Sequence, residues 1–175
     1  MLSPDKRAIV FAHYDKQDMV DPYVYYYLHE LKKLCRTLTF VSTAKLSRKD
    51  LDELKVLGCD VIIRDNIGYD FMSYKSGLDQ IDHTEFEEII ICNDSVYGPF
   101  FDLQEVFKKM DSQHNDFWGV TSNTDIAFHL QSYFLVFKKK VLNSAAFKGF
   151  WGEVRQLDSK KEIIRRYEVG LTQCL

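Results

Sequence analysis

The chain lacks long apolar runs: none of its 175 residues falls in a stretch approaching the roughly 20 that span a bilayer. Cysteine is sparse. Cys35, Cys59, Cys92 and Cys174 are widely spaced with no C-x-x-C, which argues against both a disulfide framework and a zinc site. They read as free thiols in a reducing compartment. A basic surplus is missing as well: 23 Lys and Arg stand against 26 Asp and Glu, a net charge of -3, which argues against a general nucleic-acid binder. The opening Met1-Leu2-Ser3-Pro4-Asp5-Lys6-Arg7 shows no signal-peptide pattern, so a cytoplasmic location is expected. No G-x-x-x-x-G-K-[ST], G-x-G-x-x-G or G-x-S-x-G occurs, which removes the P-loop, the dinucleotide fingerprint and the hydrolase nucleophile elbow. His13, His29, His83, His114 and His129 are scattered without metal-ligand spacing.

What is present is an alternation. Ala8 to Ala12, Leu38 to Ser42, Asp60 to Arg64 and Glu88 to Cys92 are short runs rich in β-branched and aromatic residues, and they read as buried strands. Helical patterns separate them. Asp21-Pro22 is a helix start, with Val24, Leu28, Leu31 and Cys35 on the buried face. Ser47 opens a second helix with Asp50 in capping-box position, and Gly58 ends it. The literal D-x-D at Asp50-Leu51-Asp52 falls in that helix's first turn and is therefore a capping feature. A third helix is predicted from Phe71 to Ile81. Asp102 caps a fourth through Met110, strands follow at 117–121 and 130–137, and helices at 141–154 and 160–171. The β-α-β-α-β-α-β order implies a mostly parallel α/β sheet with helices on both faces. No repeat, linker or low-complexity segment divides it, so one domain is expected.

Four strand ends carry polar residues: His13, Tyr14 and Asp15; Ser42 and Thr43; Arg64, Asp65 and Asn66; Asn93, Asp94 and Ser95. In an open α/β sheet such ends converge on one ligand crevice. Helix capping alone would also enrich Asp, Asn and Ser there. The basic groups Lys32-Lys33, Lys138-Lys139-Lys140, Lys160-Lys161 and Arg165-Arg166 read as solvated helix faces, or as surfaces facing an anionic membrane or a phosphate-bearing acceptor.

Several segments together resemble the rhamnan synthesis protein F family. They are Asp21-Pro22-Tyr23-Val24-Tyr25-Tyr26-Tyr27-Leu28, Arg64-Asp65-Asn66-Ile67-Gly68-Tyr69-Asp70-Phe71, Ser73-Tyr74-Lys75-Ser76-Gly77-Leu78, Cys92-Asn93-Asp94-Ser95-Val96-Tyr97-Gly98-Pro99, His129-Leu130-Gln131-Ser132-Tyr133-Phe134 and Tyr167-Glu168-Val169-Gly170-Leu171-Thr172. The resemblance implies a GT-A-like, Rossmann-type glycosyltransferase, with residues 1–100 as the nucleotide-sugar half and 101–175 as the acceptor half. It implies an inverting rhamnosyltransferase, with dTDP-rhamnose or a related deoxysugar nucleotide as donor. The acceptor would be a lipid-linked glycan of a bacterial cell-wall or surface polysaccharide, met at the inner face of the membrane. Asn93-Asp94-Ser95 takes the place of the acidic motif of such enzymes, with one carboxylate instead of two. Asp94 would ligate a divalent cation (Mg2+ or Mn2+) on the diphosphate, or bind the donor ribose directly. His13, Tyr14, Asp15, Asp65, Asn66, Gly68, Lys75, Asn93 and Ser95 would contact the donor. His129 and Gln131 would contact acceptor or donor sugar, and Glu168 would be the general base. Family members continue further than Leu175, which implies a catalytic core, a truncated product or a domain cut from a larger protein. The rival of another class is a non-catalytic nucleotide-sugar or glycan-binding domain on the same fold. A flavodoxin-like FMN domain matches the alternation but not the late strand and acid.

Overall fold

The strands stop where β-branched runs give way to polar residues. The computed structural model describes residues 2–175. β1 (Arg7–His13), β2 (Thr37–Ser42), β3 (Asp60–Ile63) and β4 (Glu88–Asn93) are joined by α1 (Pro22–Lys32), α2 (Arg48–Leu57) and α3 (Tyr69–Leu78). The four strands are parallel, in the order β3-β2-β1-β4. Each crossover carries a helix because parallel neighbours cannot be joined by a tight turn. Every residue of β1 and β4 is buried, so their interiors are unbroken apolar runs, while Arg7 and Glu88 at their starts pair with each other at 2.6 Å. Ala8, Val10, Ile89 and Ile91 point into one layer with Phe71, Tyr74 and Trp151. Ile9, Phe11, Ile90 and Cys92 point into the other, with Val24, Leu28, Leu54 and Phe107. Helices therefore cover both faces of a GT-A-like, Rossmann-type sheet.

Local chemistry sets the boundaries. Pro22 starts α1, although the Asp21 side chain makes no capping bond. Ser47 and Asp50 form both bonds of the capping box of α2, and Gly58, at φ 84°, ends that helix. Asp52 only pairs with Arg48 on the surface, which confirms the capping role of the Asp50-Leu51-Asp52 motif. α3 begins two residues before the predicted start and ends three before the predicted stop. It lies against β1 so closely that a Cβ on Gly77 would sit 2.4 Å from Val10 Cγ1. Gly77→Ala is therefore expected to destabilise the fold by about 1–3 kcal/mol through overpacking. Urea unfolding measures this, and an unchanged midpoint would mean that α3 can lift from the sheet without loss.

The second half adds α4 (Leu103–Asp111), β5 (Phe117–Gly119), β6 (Ser122–Asn123), β7 (His129–Leu130) and β8 (Phe134–Lys138). α5 (Lys139–Leu142), α6 (Ala145–Glu153), α7 (Lys160–Ile163), a π-helical turn (Ile164–Val169) and α8 (Gly170–Cys174) follow. Three expectations change here. The strand predicted over 130–137 is two strands. β7 pairs with β6 in a separate ribbon, whereas β8 enters the main sheet antiparallel to both β4 and β5. The break falls at Ser132, whose N–H goes to the Glu168 carboxylate. The final order is β3-β2-β1-β4-β8-β5, so strands from residues 101–175 extend the sheet of the first hundred. The helix predicted over 141–154 is interrupted after Leu142, because the Ser144 hydroxyl caps a new start at the Phe147 N–H. The helix predicted over 160–171 contains the π-helical turn. Among the described residues no helix is long and apolar enough to cross a membrane. Cys35, Cys59 and Cys92 are buried free thiols, and Cys174 is exposed.

Candidate functional site

Parallel strands point their carboxyl ends the same way, so the polar residues that stop β1, β2 and β4 gather along one edge of the sheet. Those at the ends of β1 and β2, with the loop between β3 and α3, line a cleft of about 430 Å3. Its walls include His13, Tyr14, Thr43, Asn66, Gly68, Tyr69 and Asp70, and Gln156 to Asp158 close the far side. Tyr14 and Tyr69 are 46% and 47% exposed, so two aromatic rings stand free in its lining. Gly68 (φ 71°) and Tyr69 (φ 55°) are consecutive left-handed residues. Such strain concentrates at ligand sites, and it swings α3 so that its first turn meets the cleft.

The end of β1 is tied to the end of β4. The Tyr14 N–H donates to Asp94 Oδ2 at 3.0 Å, and the Tyr23 hydroxyl donates to the Asp94 carbonyl at 3.0 Å. His13 lies behind them, buried, with Nδ1 2.9 Å from the Ser42 hydroxyl. That hydroxyl also accepts from the Ala44 N–H and has a proton and a second lone pair left, so it can bond either tautomer of the imidazole. Burial lowers the His13 pKa to about 4. The approach of His13 Nε2 to Asp94 Oδ2, 3.8 Å, is therefore a contact with a neutral ring and not an ion pair. Asp94 is displaced the other way. Burial raises its pKa to about 6; the Tyr14 N–H opposes the rise, and the charges of Asp70 and Asp15 add to it.

Asn93 organises the next layer. Its Oδ1 accepts from the N–H and the hydroxyl of Ser95, which fixes the amide so that Nδ2 donates to Asp70 Oδ2 at 2.9 Å. Burial pushes the Asp70 carboxyl above its ordinary range; the Asn93 amide opposes this and the Glu168 charge adds to it. Glu168 projects from the π-helical turn, a distortion that concentrates at functional sites. Its Oε1 accepts both the N–H (2.7 Å) and the hydroxyl (2.8 Å) of Ser132. One oxygen is thus pinned, and the other takes no hydrogen bond among the described residues.

Of the expected donor-side residues, His13, Tyr14, Asn66 and Gly68 line the cleft, while Asn93, Asp94 and Ser95 stand at its β4 edge. Asp15, Asp65 and Lys75 lie outside that lining. Asp15 folds its own loop by accepting from Gln17 N–H. Asp65 is exposed, and its carbonyl takes the Arg64 guanidinium. Lys75 donates to the Trp151 carbonyl at 3.0 Å, tying α3 to α6. On the acceptor side, His129 is buried and donates from Nδ1 to the Ala127 carbonyl at 2.8 Å. Gln131 Oε1 accepts from the Thr121 hydroxyl. Both brace the β6–β7 ribbon. Sequence reasoning passed over Asp70, Tyr69 and Ser132, whereas Thr43, named among the polar strand ends, does line the cleft. Only the strand order puts Asp70 on Asn93.

Among the described residues no three His, Cys, Asp or Glu side chains lie close enough to hold an ion. Asp94 and Asp70, both with raised pKa, each keep one oxygen that takes no hydrogen bond from another residue. That donor set fits a hard cation that takes one or two carboxylates from the protein and completes its shell with substrate phosphates and water.

The family model described as "Rhamnan synthesis protein F" matches residues 38–175. "Uncharacterized protein y4gN" of Sinorhizobium fredii is 30% identical over 142 residues, 78% of this chain and 37% of that protein. "Virulence protein VirA" of Vibrio anguillarum is 32% identical over 121 residues, 65% of this chain and 38% of that protein. The chain thus spans less than two-fifths of the length of these curated relatives. Among solved structures, HddC from Yersinia pseudotuberculosis superposes with a TM-score of 0.52 at 15% identity, covering 77% of this chain and 78% of its own. That likeness is one of fold.

Proposed function

The chain belongs to the rhamnan synthesis protein F family, and from that premise we propose that it is a glycosyltransferase unit. It would move a rhamnosyl or related deoxysugar from a dTDP-sugar to a lipid-linked glycan of a bacterial surface polysaccharide. The observation that carries this reading is the convergence of Asp94, Asn93, Asp70 and Glu168 on the carboxyl edge of the sheet, beside a cleft of about 430 Å3. Residues 1–100 would serve the donor and 101–175 the acceptor. The cytoplasmic location belongs to the same reading, and buried free thiols support it.

The chemistry is one displacement at the anomeric carbon, with inversion. The acceptor oxygen must be held in line, lose its proton, and displace the diphosphate. Glu168 suits proton removal: Ser132 holds Oε1, so the lone pairs of Oε2 have one direction in which to act. Asp94 suits the donor: Tyr14 orients it, and at neutral pH a carboxyl with a pKa near 6 is ionised. Asp70 and Asp94 would hold a Mg2+ or Mn2+ ion, whose contribution when bound would be to offset the charge of the departing diphosphate. The rings of Tyr14 and Tyr69 offer stacking faces to a pyrimidine.

Titration with dTDP, ADP and GDP, with and without Mg2+, tests the donor assignment. dTDP is expected to bind at least about tenfold more tightly than either purine nucleotide, a difference of ~1.4 kcal/mol. Equal or tighter binding of ADP or GDP would sink it.

A further inference from the structure

A second cleft, of about 370 Å3, opens on the other side of the loop that follows Asp94. Tyr27, Tyr97, Phe100, Phe101, Tyr133 and Phe134 contribute to its walls, and no charged side chain does. Tyr97, Phe100 and Phe101 are 72%, 82% and 82% exposed, an unusual cluster of aromatic surface to leave in water. The loop is nonetheless held in place. The Tyr26 hydroxyl donates to the Pro99 carbonyl at 3.2 Å, and the Tyr23 ring packs on Tyr97 at 4.5 Å while its hydroxyl donates to the Asp94 carbonyl. Tyr23 therefore joins this cleft to the candidate site.

The polar groups of the cleft decide what it can take. Tyr27 is 4% exposed, its ring edge-on to Phe11, and its hydroxyl has no hydrogen-bond partner among the described residues. Tyr133, which shares the lining with Tyr27, also has a hydroxyl without a partner among the described residues. A hydrocarbon chain would fill the aromatic surface but cover the Tyr27 hydroxyl without pairing it, which is unfavourable. A phosphate or carboxylate would find no cation in the lining. A neutral sugar ring meets both demands, with C–H faces for the aromatic rings and hydroxyls for Tyr27 and Tyr133.

We propose that this aromatic cleft is a saccharide subsite that takes a neutral sugar ring of the acceptor glycan next to the transfer site. That the ring belongs to an acceptor rests on the glycosyltransferase reading above; that the cleft binds a saccharide does not.

The test is calorimetric titration of the folded chain with an α-linked rhamnose trisaccharide, with geraniol as a hydrocarbon probe and with dTDP as a separate arm. The wild type is expected to bind the trisaccharide. Phe101→Ala removes an exposed ring and Tyr27→Phe only a hydroxyl, so both variants should fold. Each should weaken trisaccharide binding by about fivefold or more while dTDP affinity stays constant. No trisaccharide binding by the wild type, or equal binding by both variants, overturns the subsite. So does geraniol that displaces the trisaccharide and binds Tyr27→Phe as tightly as wild type, since the cleft is then a hydrocarbon site. Trisaccharide binding with no dTDP binding would remove the glycosyltransferase reading and leave the subsite standing.

Discussion

Glu168→Gln is expected to slow sugar transfer by about 10²- to 10⁴-fold, the usual worth of a positioned acid–base group, and to leave donor affinity nearly unchanged. The geometry makes this substitution informative. Glutamine keeps an oxygen that can accept both Ser132 bonds, so the turn between β7 and β8 stays anchored while the proton acceptor is lost. A merely structural Glu168 behaves differently: the amide would preserve the anchor, and stability and transfer would both stay within the range of ordinary surface changes. The measurement is the transfer rate at saturating donor and acceptor, beside a dTDP titration. Full activity in Glu168→Gln removes the base assignment. His129 is then a poor substitute, because it is buried and bonded to the Ala127 carbonyl. Asp125, exposed at the ribbon, becomes the candidate. Lost donor binding would instead move Glu168 to the nucleotide-sugar side.

The difference between β4 and β8 shows what was legible in the sequence. β4 is buried on both faces, so its composition alone, Ile89-Ile90-Ile91-Cys92, declares a central parallel strand and fixes where Asn93 and Asp94 emerge. β8 and β7 share one alternating run, and nothing local in that run tells which strand each half will pair with. The break depends on Glu168 reaching Ser132 from 36 residues away. The same limit hid Asp70. Its helix-start position has a sufficient local explanation, and its contact with Asn93 exists only because α3 returns over β1 to β4. Lys75 shows the converse error. A lysine on that helix looked able to reach a nucleotide, but the carbonyl end of α6, invisible in a local pattern, takes its ammonium. Family resemblance identified the segments that matter; long-range packing decided which side chains in them face the cleft.

Asp94→Asn is expected to lower donor binding or turnover by at least about tenfold, while Asp52→Asn leaves both unchanged. It should also alter stability in a way that only a buried carboxyl can. In the folded chain Asp94 titrates near 6, against an ordinary 3.8, and His13 near 4, against an ordinary 6.5. The raised Asp94 value contributes stability that is complete below pH 3.8 and lost as pH rises to 6. The depressed His13 value contributes stability that is present above pH 6.5 and lost as pH falls to 4. Between about pH 4 and 6 the unfolded chain carries a proton on His13 and none on Asp94, and the folded chain the reverse. Both states hold one proton, so this pair gives the wild type almost no slope in that window. Replacing the Asp94 carboxyl by an amide removes one side of the balance. The variant should lose stability as pH falls from 6.5 to 4, by at most about 1.4 kcal/mol per pH unit. Above about pH 6 it should be more stable than wild type, because an ionised half-buried carboxylate is gone. Urea unfolding across this range, in chelator to exclude bound cations, gives the slopes, and the wild-type transfer rate should decline as pH drops through about 6. A flat profile in Asp94→Asn would mean that His13 is not the neutral, buried partner described here. Unchanged turnover in Asp94→Asn would mean that the acid of the donor site is Asp70, with Asn93 and Asp94 serving only to hold it.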